Sequence, residues 1–249
     1  MDYEPVFRLV APIKDRPAVQ KARGILARAV PSHLEALAVL YDTDKSQRRS
    51  HHRYTAHYAY HFRHRRRRVR SVLEIGIGGY TNPTVGGASL RMWRTYFPNA
   101  QIYGMDINVK RFPLENRITV LQGDQTDSAL LKDLDRRFGP FDLVIDDGSH
   151  ITSHQIASFE ALWPTLRSGA VYAIEDLDPN YWDEWGGGPP GTPGTAVDLA
   201  KQLIDNVQIG PEPVASVHAY PQLILIEKAS VAQSWVPPLD ISASDGSRP

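Results

Sequence analysis

VASVHAY (214–220), Pro221 and QLILIEKA (222–229) form the stretch whose reading decides the fold. Both segments are rich in aliphatic and β-branched residues and have the length of strands. Only a proline stands between them. A parallel connection needs a crossover of a dozen or more residues, so these two strands are expected to be antiparallel neighbours. Upstream the pattern is different. The apolar runs VRSVLEIGIG (69–78), QIYGMDI (101–107), ITVLQGD (118–124), FDLVIDDG (141–148) and AVYAIEDL (170–177) read as strands. Between and after them, ASLRMWRTYF (88–97), DSALLKDLDRRF (127–138), Thr152 to about Leu166 and GTAVDLAKQLIDNV (194–207) read as helices, and Pro98-Asn99 and Gly139-Pro140 stop the first two. Strands separated by helices predict a parallel sheet covered on both faces. The expected fold class is therefore α/β: a doubly wound, Rossmann-like sheet, mostly parallel, closed by a C-terminal antiparallel hairpin.

Working outward, residues 1–68 read as an N-terminal helical segment, 69–230 as the main domain and 231–249 as a disordered tail. Val19 to Val30 and Pro31 to Tyr41 look helical. YTAHYAYHF (54–62) places Tyr54, Tyr58 and Phe62 on one helical face, which reads as core packing. The chain has no cysteine, so disulfides, thiolate metal sites and cysteine nucleophiles are excluded. There is no run of 18 apolar residues and no charged start leading into an apolar core. The expectation is a cytoplasmic protein without a membrane span. Basic and acidic residues balance at 28 each, but nine arginines and no acid lie between Lys45 and Glu74. Such a run can mark a nucleic-acid surface. It lacks the basic-aromatic interleaving of a single-strand platform, so it reads as a solvated helix end, and no nucleic-acid partner is expected.

Three strand ends carry polar residues after apolar runs. Glu74-Ile75-Gly76-Ile77-Gly78-Gly79 closes the first strand, where glycines let backbone approach a ligand and the following helix offers free N–H groups. The dinucleotide fingerprint wants a third glycine where Thr81 stands. Asp106 ends the second strand, where an acid can accept ribose hydroxyls, and Gly123-Asp124-Gln125 ends the third, where polar side chains can meet an adenine. A Glu74-first glycine turn and the terminal hairpin suit a class I methyltransferase binding adenosylmethionine better than a nicotinamide-dependent oxidoreductase.

The fourth and fifth strands end in acids. IDDGSH (145–150) carries Asp147 and His150, and AIEDLD (173–178) carries Glu175 and Asp176. Neighbouring strands lie about 4.8 Å apart, so Asp147, Glu175 and Asp176 can converge. Carboxylates that close repel unless a cation binds. An all-oxygen set suits Mg²⁺, with Mn²⁺ second. His150 is expected to be the general base that removes a proton from a poorly acidic hydroxyl, with His154 as the fallback. A catechol-type O-methyltransferase would use a similar ion site. A nucleic-acid module with a vestigial pocket is disfavoured by the intact acid cluster.

Taken together, YDTDK (41–45), HHRYTAHY (51–58), EIGIGGY (74–80), GGASLRMWRTYFP (86–98), IYGMDI (102–107), GDQTD (123–127), IDDGSH (145–150), VYAIEDL (171–177) and YW (181–182) resemble the metal-dependent sugar O-methyltransferases of macrolide biosynthesis. The nearest type is the mycinamicin and tylosin deoxyallose 2-O-methyltransferases, and bacterial rhamnosyl O-methyltransferases share the pattern. The resemblance covers roughly residues 40–185. It implies adenosylmethionine contacts at Glu74, Gly76, Gly78, Ser89, Asp106 and Gln125, Mg²⁺ ligation by Asp147, Glu175 and Asp176, and His150 as base. It also implies a small-molecule glycoside as acceptor. A homo-oligomer is expected because the N-terminal helices and the antiparallel hairpin both offer surfaces that need partners or cover. The family carries a large N-terminal domain, whereas about 40 residues precede the match here. EWGGGPPGTPG (184–194) is particular to this chain and reads as a mobile lid or a linker.

Overall fold

A computed structural model describes residues 17–48, 52–209 and 213–229. The expected tail, 231–249, lies outside them. Seven strands form one sheet in the order β3-β2-β1-β4-β5-β7-β6. They are β1 (Ser71–Ile75), β2 (Gln101–Asp106), β3 (Ile118–Gln122), β4 (Leu143–Asp146), β5 (Val171–Glu175), β6 (Val214–Tyr220) and β7 (Leu223–Lys228). The first five pair in parallel, and β7 pairs antiparallel to both β5 and β6. The doubly wound order and the reversed C-terminal hairpin both follow the sequence reading. Every expected helix is present, with ends shifted by a few residues: α1 (Pro17–Ala27), α2 (Leu34–Tyr41), α3 (Tyr54–Phe62), α4 (Ala88–Tyr96), α5 (Ser128–Phe138), α6 (Thr152–Leu162) and α7 (Ala196–Ile209). Among the described residues no helix is long and apolar enough to cross a membrane.

Strand parity places the site. Successive side chains alternate between the two sheet faces. Val72, Leu143, Ile145, Val171 and Ala173 pack into one apolar cluster with α2, α3 and α4. Leu73, Val144, Tyr172 and Ile174 pack into the other, with α5, α6 and α7. Glu74 shares parity with Val72, and Glu175 with Ala173, so both acids are aimed at the layer built by the N-terminal helices. Asp146 shares parity with Val144 and faces α6. The N-terminal helices are therefore part of the main core: Leu37, Ala38, Tyr58 and Phe62 are all buried.

The arginine run enters β1 from the end opposite the ligand side. Arg65 pairs with Glu227 at 2.9 Å and lies over the Phe62 ring, and Arg66 donates to the Tyr96 carbonyl at 2.9 Å. These side chains cap the core's edge.

The junction of α3 with β6 is built from histidines. His57 stacks on Tyr220 with ring centroids 3.7 Å apart, His61 Nε2 lies 2.9 Å from the Tyr220 hydroxyl, and His218 sits edge-on to His61 at 4.4 Å. Burial, then His218, Arg65 and His57, push His61 from 6.5 down to about 4. The unfolded chain thus takes up this proton at a higher pH than the folded one. The contribution to stability is present above 6.5 and is lost as pH falls toward 4. The melting temperature should fall between these pH values, and His61→Phe should flatten the fall. Identical pH profiles for the two proteins would contradict it.

Candidate active site

The glycine turn after β1 forms one wall. Gly76 has φ +80, and a Cβ there would lie 2.0 Å from the Asp147 carbonyl oxygen, so only glycine lets the ends of β1 and β4 close together. Gly78, at φ +72, has nothing within 4 Å of its absent Cβ and faces open space. Glu74 is fully buried below the turn, and Ser89 Oγ, near the start of α4, donates to its Oε2 at 2.8 Å. Burial pushes the Glu74 carboxyl up to about 7 against the pull of Lys45. Asp106 accepts from the Ile77 N–H at 3.4 Å and the Asn108 N–H at 2.8 Å. Lys110 Nζ lies 3.7 Å from Asp106 Oδ2 and donates to the carbonyls of Gly78 and Tyr80. Gln125 is buried and its amide is committed: Nε2 donates to Asp146 at 3.2 Å and Oε1 accepts from the Ser149 N–H at 2.8 Å. Burial raises the Asp146 carboxyl to about 6, and Ser158 and Tyr172 also bond it.

The acids at the ends of β4 and β5 separate into a floor and a rim. On the floor, Lys45 is 1 % exposed and inserts from the segment between α2 and α3. Its Nζ lies 2.7 Å from Asp147 Oδ2 and 3.3 Å from Glu74 Oε1, and it also bonds Glu175 Oε2. The sequence reading found no cation for these acids, because Lys45 is 102 residues from Asp147 and 130 from Glu175. Burial alone would lower the Lys45 pKa, but Asp147, Glu175 and Glu74 together raise it well above its ordinary value, so it stays an ammonium. Glu175 accepts a second bond, from the Tyr58 hydroxyl at 2.7 Å. Both of its oxygens are therefore engaged inside the protein.

On the rim, Asp147, His150 and Asp176 remain 21 %, 25 % and 24 % exposed, against 1 % for Glu175. They offer ligand atoms that all lie within 4.8 Å of one another. Of the expected ion ligands, the structure thus brings Asp147 and Asp176 together at the surface, joined by His150, and holds Glu175 beneath them. Two carboxylates and an imidazole suit a hard or borderline divalent ion. His150 Nε2 lies 3.5 Å from Asp176 Oδ2, while Nδ1 is buried with no hydrogen-bond partner among the described residues. Asp176 also accepts from the Tyr54 hydroxyl at 2.6 Å. His150 and Asp176 both adopt left-handed backbone, at φ 59 and φ 51. For non-glycine residues this costs roughly 1–3 kcal/mol each and gathers at functional sites. His154 sits one turn on and bonds the Ser149 hydroxyl at 2.9 Å.

Lys45, Tyr54 and Tyr58 are the site residues that sequence reasoning missed. Tyr54 and Tyr58 were read as packing; their i, i+4 spacing on a face looking toward an acid-lined sheet end was the available signal. Lys45 stood within YDTDK with no role given to it.

Known proteins similar to this chain are methyltransferases. The mycinamicin VI 2''-O-methyltransferase of Micromonospora griseorubida is 43% identical over 201 residues, covering 75% of this chain and 50% of that protein. An 8-demethyl-8-alpha-L-rhamnosyl tetracenomycin-C 2'-O-methyltransferase of Streptomyces olivaceus is 39% identical over 226 residues, covering 85% and 59%. A mycinamycin-pathway methyltransferase solved in complex with Mg, SAH and mycinamycin VI superposes with a TM-score of 0.78 at 44% identity, covering 83% of this chain and 57% of that one. The chain spans about half the length of the curated relatives it matches. The family model described as a methyltransferase domain matches residues 24–177, from the N-terminal helices through the acids of β5. With more than half of its length inside that match, the chain belongs to the methyltransferase domain family.

Proposed function

We propose that this chain transfers a methyl group from adenosylmethionine to a sugar hydroxyl of a glycosylated natural product, with Mg²⁺ or Mn²⁺ bound at the rim. The observation that carries the reading is the Asp147–His150–Asp176 cluster standing beside a glycine turn whose Gly78 faces open space. The names of the relatives supply the acceptor class, a hydroxyl on a macrolide or polyketide glycoside. When bound, the donor supplies the methyl group and the ion supplies Lewis-acid polarisation of the acceptor hydroxyl.

The chain's own residues do the rest. Gly76 and Gly78 admit the donor's close approach, and Asp106 offers a carboxylate for ribose hydroxyls. Asp147 and Asp176 supply the anionic charge that would hold the ion. His150 takes the acceptor's proton as the methyl group arrives, and Asp176, 3.5 Å from its Nε2, steadies the imidazolium that results. Lys45 offsets part of the burial that pushes the carboxyls of Glu74, Asp147 and Glu175 up, and fixes them beneath the rim.

Chelation tests the ion. Methyl transfer should vanish in excess EDTA and return on adding Mg²⁺, while the melting temperature of the ion-free protein stays high enough to keep it folded. Full activity in excess chelator would remove the ion from the reaction.

A further inference from the structure

The glycine- and proline-rich segment after β5 has the composition of a lid, yet buried hydrogen bonds fix it. Its first part forms two short 3-10 turns, Asp178–Tyr181 and Asp183–Trp185. Asn180, 2 % exposed, anchors the first, and its carbonyl accepts from the Gly188 N–H at 3.2 Å just beyond the second. Its Oδ1 accepts from Thr152 Oγ1 at 2.8 Å and from the Val197 N–H at 3.3 Å, and its Nδ2 donates to Gln155 Oε1 at 3.0 Å. Gln155, buried in α6, in turn donates to the Glu175 carbonyl at 3.2 Å. Thr152 Oγ1 also accepts from the Ala196 N–H at 2.7 Å, which ties down the far end of the segment. At Gly187 a Cβ would lie 2.2 Å from the Asn180 carbonyl oxygen, so the turn closes tightly on its anchor. Trp185 N–H donates to the Trp182 carbonyl at 3.1 Å. The backbone that carries Trp185 is thus linked through two buried side chains to the strand end that carries Glu175 and Asp176.

That link places the Trp185 ring 6.5 Å from the His150 ring, tilted by 41°. We propose that Trp185 is a fixed platform for the acceptor's sugar ring and a determinant of acceptor specificity; the inference rests on the function proposed above. A pyranose presents C–H groups on its faces and hydroxyls at its edge. An indole face suits the first, and a base one ring-width away suits the second. A platform on an ordered turn orients the ring without the added entropic cost of ordering a loop.

Steady-state kinetics with 8-demethyl-8-α-L-rhamnosyl tetracenomycin C, the acceptor of one relative, tests this on wild type, Trp185→Ala and Trp185→Phe. Trp185→Ala should raise the acceptor KM by about tenfold or more, and Trp185→Phe should restore most of it. Adenosylmethionine affinity by calorimetry and Mn²⁺ affinity by paramagnetic resonance should stay within about twofold of wild type. An unchanged acceptor KM in Trp185→Ala overturns the platform. So does a parallel loss of donor or ion affinity, which would make Trp185 part of the scaffold. Wild-type protein that methylates a catechol and no glycoside overturns the proposed function itself, and the platform with it.

Discussion

His150→Ala should lower kcat by about 10²–10⁴ while leaving adenosylmethionine binding intact, the loss typical of removing a general base. The expectation comes from where the imidazole stands. Its Nε2 is 3.5 Å from Asp176 Oδ2, its Nδ1 has no hydrogen-bond partner among the described residues, and its left-handed backbone lies in the turn between β4 and α6. The same position puts a ring nitrogen within 4.8 Å of carboxylate oxygens of Asp147 and Asp176, where one ion could take all three as ligands. The two roles separate by measurement. A base keeps Mn²⁺ affinity when it is lost, whereas an ion ligand takes that affinity with it. His154→Ala is the control, since among the described residues its imidazole hydrogen-bonds only the Ser149 hydroxyl. Near-normal kcat in folded His150→Ala would remove the base assignment.

Lys45→Met should destabilise the fold by about 3–5 kcal/mol, the cost of leaving a buried charge partner unpaired. Methionine keeps the stem's volume and removes the ammonium, leaving Glu74 and Glu175, 0 % and 1 % exposed, facing each other without a cation. Tyr58 still bonds Glu175 and Ser89 still bonds Glu74, so the structure is weakened at one point. Removing the surplus charge should help: Lys45→Met with Glu175→Gln is expected to recover part of the loss. Urea midpoints of the three proteins check this. A loss below about 1 kcal/mol for Lys45→Met would mean that Lys45 does not hold the floor of the site.

The fold and half of the site were readable for one physical reason. In a doubly wound sheet the ligand side is where apolar strands end, and an apolar run that stops at Glu74, Asp106, Asp147 or Glu175 marks that edge in a single pass. The hairpin was legible because one proline cannot bridge parallel strands. What could not be read was closure across the chain. Lys45 meets its acids from over a hundred residues away, and no local period announces that. Nor does spacing say which of three adjacent acids points inward: Glu175 follows the parity of Ala173 into the core, while Asp176, one residue on, turns out through a left-handed backbone to the rim. Gln125 and Ser89, expected to meet the donor, have their polar groups engaged with Asp146 and Glu74. For the segment 184–194 composition left lid and linker open; the bonds that anchor its flanks come from Asn180, Thr152 and Gln155 outside it.

The central claim is methyl transfer to a sugar hydroxyl, and mass spectrometry of the acceptor tests it most directly. The purified chain is incubated with adenosylmethionine, Mg²⁺ and a demethylated macrolide or rhamnosyl glycoside. The account predicts a glycoside heavier by one methyl group in place of a hydrogen, with fragmentation placing it on the sugar and one adenosylhomocysteine formed per product. Unmodified glycosides in the presence of folded, donor-bound protein, or a methyl group found on the aglycone, would contradict it.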